Sequence, residues 1–65
     1  MALSTSTVLS LAQVMVQLRT IRSDYESSAR YCRDHNKDSG VAFNERRVRE
    51  IDDCLALIER AVSGK

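Results

Sequence analysis

The stretch Asn36-Lys37-Asp38-Ser39-Gly40-Val41-Ala42-Phe43-Asn44 decides the fold, because the helical pattern upstream stops there and a second one starts beyond it. Lys37-Asp38-Ser39-Gly40 is the only turn-like cluster in the chain, with Asp38 or Ser39 suited to cap the next helix. The 65 residues include no proline and only two glycines, so few other positions can break a helix. Upstream, Ser4-Thr5-Ser6-Thr7 offers N-cap oxygens directly before an apolar pattern. That pattern, Val8, Leu11, Val14, Met15, Leu18, Ile21, Tyr25, Ala29 and Cys32, falls within one broad helical face. Downstream, Val48, Ile51, Leu55, Ile58 and Val62 repeat at helical spacing with Cys54 and Ala61 on the flank, and Gly64 suits the left-handed position past a helix end.

The two stripes match if the chain reverses near Ser39-Gly40. Partners at one level then have residue numbers adding to roughly eighty. Val48 meets Cys32, Ile51 meets Ala29, Leu55 meets Tyr25, Ile58 meets Ile21 or Arg22, and Val62 meets Leu18. Asn36 meets Asn44 as a polar layer beside the turn. The expectation is an all-α, two-helix antiparallel hairpin in one domain, with helices at about 7–36 and 42–63 and a turn at about 37–41.

In that register the second helix runs out level with Gln17, and everything before it overhangs. The overhang is the most apolar part of the chain. Leaving Leu11, Val14 and Met15 in water forgoes about 1.5–3 kcal/mol each. That rivals the whole net stability of a small domain, roughly 5 kcal/mol. A homodimer forming a four-helix bundle resolves the mismatch, with Val8, Leu11, Val14, Met15 and Leu18 as the expected interface. In outline such a bundle resembles the helical hairpins that control plasmid primer RNA, and some small sporulation phosphatases. Neither family's motifs occur in these residues, so the likeness implies no activity.

Composition narrows the function classes. Apolar residues make up 43% and charged residues 29%, a globular balance, and the net charge is only +1. Two cysteines are too few for a disulfide framework, and Cys32 and Cys54 stand about 9 Å apart along the expected hairpin axis, out of bonding reach. Residues 1–23 lack acids, carry Arg19 and Arg22 and are rich in Ser and Thr, which are transit-peptide traits; against a targeting role, cleavage there would leave only a short remnant of the hairpin. The apolar run from Val8 to Leu18 is too short and too polar to span a bilayer, so no membrane role and a reducing, cytoplasmic setting are expected.

No catalytic constellation stands out. His35 is the single histidine and lies off the apolar face, and no phosphate-cradling glycine loop or serine elbow is present. Cys32 and His35 form only half a zinc site, so no metal or other cofactor is expected. Arg22 sits at a core-facing angle, either snorkelling or pairing with an acid across an oligomer interface. Arg30, Arg33, Arg46, Arg47 and Arg49 near the turn could contact a polyanion, although Asp34, Asp38, Glu45 and Glu50 interleave with them. Glu45 with Arg49, Arg46 with Glu50 and Arg49 with Asp53 have the spacing of surface ion pairs.

The expectation is therefore a small non-enzymatic regulatory or adaptor protein, an inhibitor or anti-activator by type. It would bind another protein while associating with itself. The alternatives are a nucleic-acid-binding regulator using the basic tip, and a structural coiled-coil subunit of a larger assembly.

Overall fold

A computed structural model describes residues 3–63 and contains two helices, α1 (Thr5–Asp34) and α2 (Asp38–Val62), packed against each other. The all-helical hairpin read from the sequence is present. Helix α1 starts two residues earlier than expected because Ser4 is the residue that caps it. Its hydroxyl accepts the Thr7 N–H at 3.2 Å and shares a 2.8 Å contact with the Thr7 hydroxyl.

The reversal is also earlier, at His35-Asn36-Lys37. Asn36 takes the left-handed conformation with φ 58°. Its N–H donates to the Arg33 carbonyl at 3.2 Å, and the Lys37 N–H donates to the Cys32 carbonyl at 2.7 Å. Those two bonds are the Schellman pattern that ends a helix, with Asn36 in the place usually held by glycine. Helix α2 begins at once, without a side-chain cap, and the acid Asp38 lies in its first turn where the helix dipole favours it. Gly64, expected past the end of α2, lies outside the described residues.

Gly40 is therefore inside α2 rather than in the turn. It is small for another reason. A Cβ on Gly40 would sit 2.6 Å from Cys32 Sγ and 3.3 Å from Cys32 Cβ, so the two backbones converge here only because the side chain is absent.

This contact resets the register. With Gly40 against Cys32, facing residues have numbers adding to about 73, one heptad from the expected alignment. Carried along at equal rise, Val41 faces Cys32, Asn44 faces Ala29, Val48 faces Tyr25 and Ile51 faces Arg22. Leu55 then faces Leu18, Ile58 faces Met15 and Val62 faces Leu11. The pairing of Asn36 with Asn44 is replaced, as is that of Ala29 with Ile51. Burial agrees with the new layers. Ala29, Asn44, Ile51 and Leu55 are buried, and the side chain of Asn44 donates to the Gly40 carbonyl at 2.8 Å.

Position by position, the seam is a strict alternation of three and four. It runs Val8, Leu11, Met15, Leu18, Arg22, Tyr25, Ala29, Cys32 on α1 and Val41, Asn44, Val48, Ile51, Leu55, Ile58, Val62 on α2. Among the described residues, only Gly40 and Glu45 are shielded without belonging to it. This is the heptad spacing of a coiled coil. Val14 and Ile21, read as part of the apolar stripe, are 42% and 44% exposed and stand beside the seam rather than in it.

The register also shortens the overhang. Because α2 reaches the level of Leu11, only Thr5–Ser10 of α1 extends past it, and Leu11, Met15 and Leu18 are half-buried within their own chain. The molecule is a rod of 48 × 17 × 10 Å. Its core is thin, with three buried apolar residues among those described and no large side chain wholly enclosed.

Candidate functional site

The seam divides the hairpin into two unlike flanks. The seam residues come in pairs three apart, such as Leu18 after Met15, and in an antiparallel pair of helices the residue following the second member of each pair lies on one side on both helices. The residue preceding the first member of each pair lies on the other. The first side holds Arg19, Glu26 and Arg33 on α1 with Glu45, Asp52 and Glu59 on α2. Cross-helix ion pairs confirm the geometry: Arg33 to Glu45 at 3.0 Å and Arg19 to Glu59 at 3.8 Å.

Arg22 completes this ionic flank from within the seam. Its Nε donates to Asp52 at 2.6 Å and a terminal nitrogen reaches the second Asp52 oxygen at 3.2 Å, while another terminal nitrogen binds Glu26. Of the two readings open for Arg22, the structure places its acid within the same chain. The hydrogen bond from Arg22, with its positive charge, holds the Asp52 carboxyl below the usual carboxylate range. The same hydrogen bond pushes the Arg22 guanidinium higher still. Both side chains are substantially exposed, so solvent screens the pair.

The second flank is nearly the opposite in character. It carries Val14 and Ile21 on α1 and Cys54, Leu57 and Ala61 on α2, all exposed. Toward the turn it continues as Phe43, 51% exposed, whose ring meets Tyr25 edge to face at 6.5 Å between centroids. The charged residues on this side are Asp24, Arg47 and Glu50. Arg47 pairs with Glu50 at 3.0 Å and lies over the Phe43 ring. Two further apolar residues, Leu9 and Val16, are 61% and 60% exposed on the outer side of α1 beyond the ionic flank.

The residues expected at an interface are thus split. Val14 stands on the apolar flank, whereas Leu11, Met15 and Leu18 line the seam and Val8 continues their face past the end of α2. Cys54, Leu57 and Ala61 were not singled out as interface residues. Their shared signal was that each lies one position before, or two positions after, a seam residue on the same side as Val14 and Ile21.

The five arginines of the expected polyanion contact are also split. Arg33 is held by Glu45 and Arg47 by Glu50. Arg30, Arg33 and Arg49 line a shallow groove of about 300 Å³ with Glu26, Glu45, Ala29 and Val48, and Arg46, which is exposed, does not line it. None of the three expected i,i+4 ion pairs is among the described contacts. Glu45 instead reaches across to Arg33, and Glu50 takes Arg47 one position nearer.

His35 caps α1 through its ring, Nδ1 lying 2.8 Å from the Tyr31 carbonyl, and stacks on the Tyr31 ring at 4.0 Å. Lys37 Nζ lies 5.6 Å from the centre of the same ring. Cys32 and Cys54 are both free thiols, Cys32 half-buried beside Asn44 and Cys54 exposed on the apolar flank. Among the described residues no three His, Cys, Asp or Glu side chains gather in a metal-binding arrangement. No helix among them is long and apolar enough to cross a membrane. No protein family model, curated protein or solved structure matches the chain.

Proposed function

We propose that this chain is a small non-enzymatic regulatory or adaptor protein that works by protein–protein contact as a homo-oligomer, in a cytoplasmic setting. The observation that carries the reading is the placing of its large apolar side chains. Leu9, Val14, Val16, Ile21, Phe43 and Leu57 stand exposed on helix faces, where another helix can lie across them. Isolated exposed apolar residues are ordinary; rows of them along both helices of so thin a molecule are what a partner surface needs.

The chemistry is helix-face recognition, with apolar anchors inside a charged rim. The ionic flank supplies that rim. Its charges are largely satisfied within the chain, so it sets orientation and solubility more than affinity. The alternative is binding of a nucleic acid or other polyanion by Arg30, Arg33 and Arg49 around their shared groove, which Glu26 and Glu45 oppose.

The deciding experiment combines sedimentation of the purified protein with titration of duplex DNA and RNA at low salt. Self-association without salt-sensitive nucleic-acid binding supports the proposal. A monomer that binds nucleic acid tightly, with affinity falling steeply as salt rises, overturns it in favour of the alternative.

A further inference from the structure

We infer that the flank bearing Val14, Ile21, Cys54, Leu57 and Ala61 is the surface on which a second copy of this chain packs, completing a four-helix bundle. The inference rests on the self-associating reading above and locates its seam, away from the ionic flank and from Leu9 and Val16.

The first argument is the width of the apolar stripe. A two-helix coiled coil needs only the alternating seam positions, two residues in seven. A helix in a bundle adds one flanking position, giving three in seven. Both helices here carry the wider stripe on the same side: Val14 and Ile21 on α1, Cys54 and Ala61 on α2. The opposite flanking position carries Arg19, Glu26, Arg33, Glu45, Asp52 and Glu59. A side-by-side pair has no use for the third position, whereas two hairpins packed face to face do.

The second argument is area. A compact monomer of 7.3 kDa exposes about 4,200 Å² by the usual scaling with mass. This chain exposes 5039 Å². The excess is close to the roughly 800 Å² that each partner buries in an interface of standard size.

The third argument is charge. Burying a charged face against a second copy strips water from every ion on it, even where the ions are already paired. The ionic flank carries such paired ions along much of its length. On the apolar flank only Asp24, Arg47 and Glu50 are charged, and the last two are paired with each other.

The test uses the purified full chain. Sedimentation equilibrium is run on wild type, on Ile21→Glu/Leu57→Glu and on Leu9→Glu/Val16→Glu, with circular dichroism of each. Cys54 gives a second readout that needs no substitution. Its reaction with a maleimide, resolved from that of Cys32 by mass spectrometry, should slow about tenfold as concentration rises through the association range. The expected result is a wild-type dimer, a dimeric Leu9/Val16 variant, a dissociated Ile21/Leu57 variant and protection of Cys54. A wild-type dimer that leaves Cys54 fully reactive, or that survives in the Ile21/Leu57 variant, overturns the assigned seam while self-association stands. A wild type that is monomeric and well folded at micromolar concentration overturns both.

Discussion

Replacing Gly40 with alanine sets two physical effects against each other, and the neighbour that decides between them is Cys32. Gly40 lies inside α2, where alanine is favoured over glycine by about 0.8–1.0 kcal/mol. The new methyl would arrive 2.6 Å from Cys32 Sγ, well inside van der Waals contact, and 3.3 Å from Cys32 Cβ. Overpacking of this kind costs about 1–3 kcal/mol. Gly40→Ala should therefore leave the protein unchanged at best and destabilised by up to about 2 kcal/mol at worst. Removing the sulfur changes the sign. In a Cys32→Ala background the tight contact is gone, only the 3.3 Å approach remains, and Gly40→Ala should stabilise by about 0.5–1 kcal/mol. The coupling between the two substitutions is then about 0.5–3 kcal/mol. Urea unfolding of the four proteins, followed by circular dichroism at one fixed protein concentration, measures it. If Gly40→Ala stabilised both backgrounds equally, the helices would not converge at Gly40 and the register would be wrong.

Asn36 makes a companion test. Asn36→Gly should leave stability unchanged or raise it by up to about 1 kcal/mol, and Asn36→Val should lower it by about 1–2 kcal/mol, read from the same unfolding curves. Equal values for glycine and valine would contradict a left-handed residue there. Ile51→Asp places a charge at a buried seam position and should abolish cooperative unfolding; a soluble, fully helical variant would refute the layer assignment. The Arg22–Asp52 pair predicts a pH dependence. Asp52 titrates lower when folded than when unfolded, so its stabilisation is complete above the unfolded carboxylate pKa of about 3.9 and is lost as pH falls through the lower folded value. Arg22→Leu should flatten that part of the acid profile, and an unchanged profile would show that the pair is not maintained in solution. Replacing Arg46, Arg47 and Arg49 with Gln should change stability by less than about 1 kcal/mol; a larger loss would mean that the tip is structural.

The helical class of the chain was legible because apolar residues recur at helical spacing on both sides of one polar cluster. The place of the turn was not. Gly40 attracted the turn because glycine so often ends helices, yet asparagine also accepts the left-handed conformation, and Asn36 occupies it. Nothing local separates a glycine that turns the chain from one that lets two helices touch; that distinction requires the register. Polar residues hid the register in turn. Arg22 and Asn44 occupy seam positions, so a search limited to apolar residues breaks the three-and-four alternation at the two points that would have revealed it. Val14 and Ile21 then filled the gaps and made a narrow seam look like a broad face. Counting Arg22 as a seam residue restores the heptad and exposes Val14 and Ile21 as a separate row. The ion pairs were misread for a related reason. Spacing along one helix cannot show that Glu45 and Asp52 face arginines on the other, and those cross-helix partners prevail.

The central claim is that each chain is half of a bundle whose seam is the apolar flank, and isotope-filtered NMR on an equimolar mixture of labelled and unlabelled protein tests it most directly. Contacts from Leu55 to Leu18 should appear within one chain, in keeping with the register. Contacts between chains should arise from the methyl groups of Val14, Ile21 and Leu57, and none from Leu9 or Val16. Between-chain contacts confined to Leu9 and Val16, or an intrachain contact from Leu55 to Tyr25 in place of Leu18, would contradict the account.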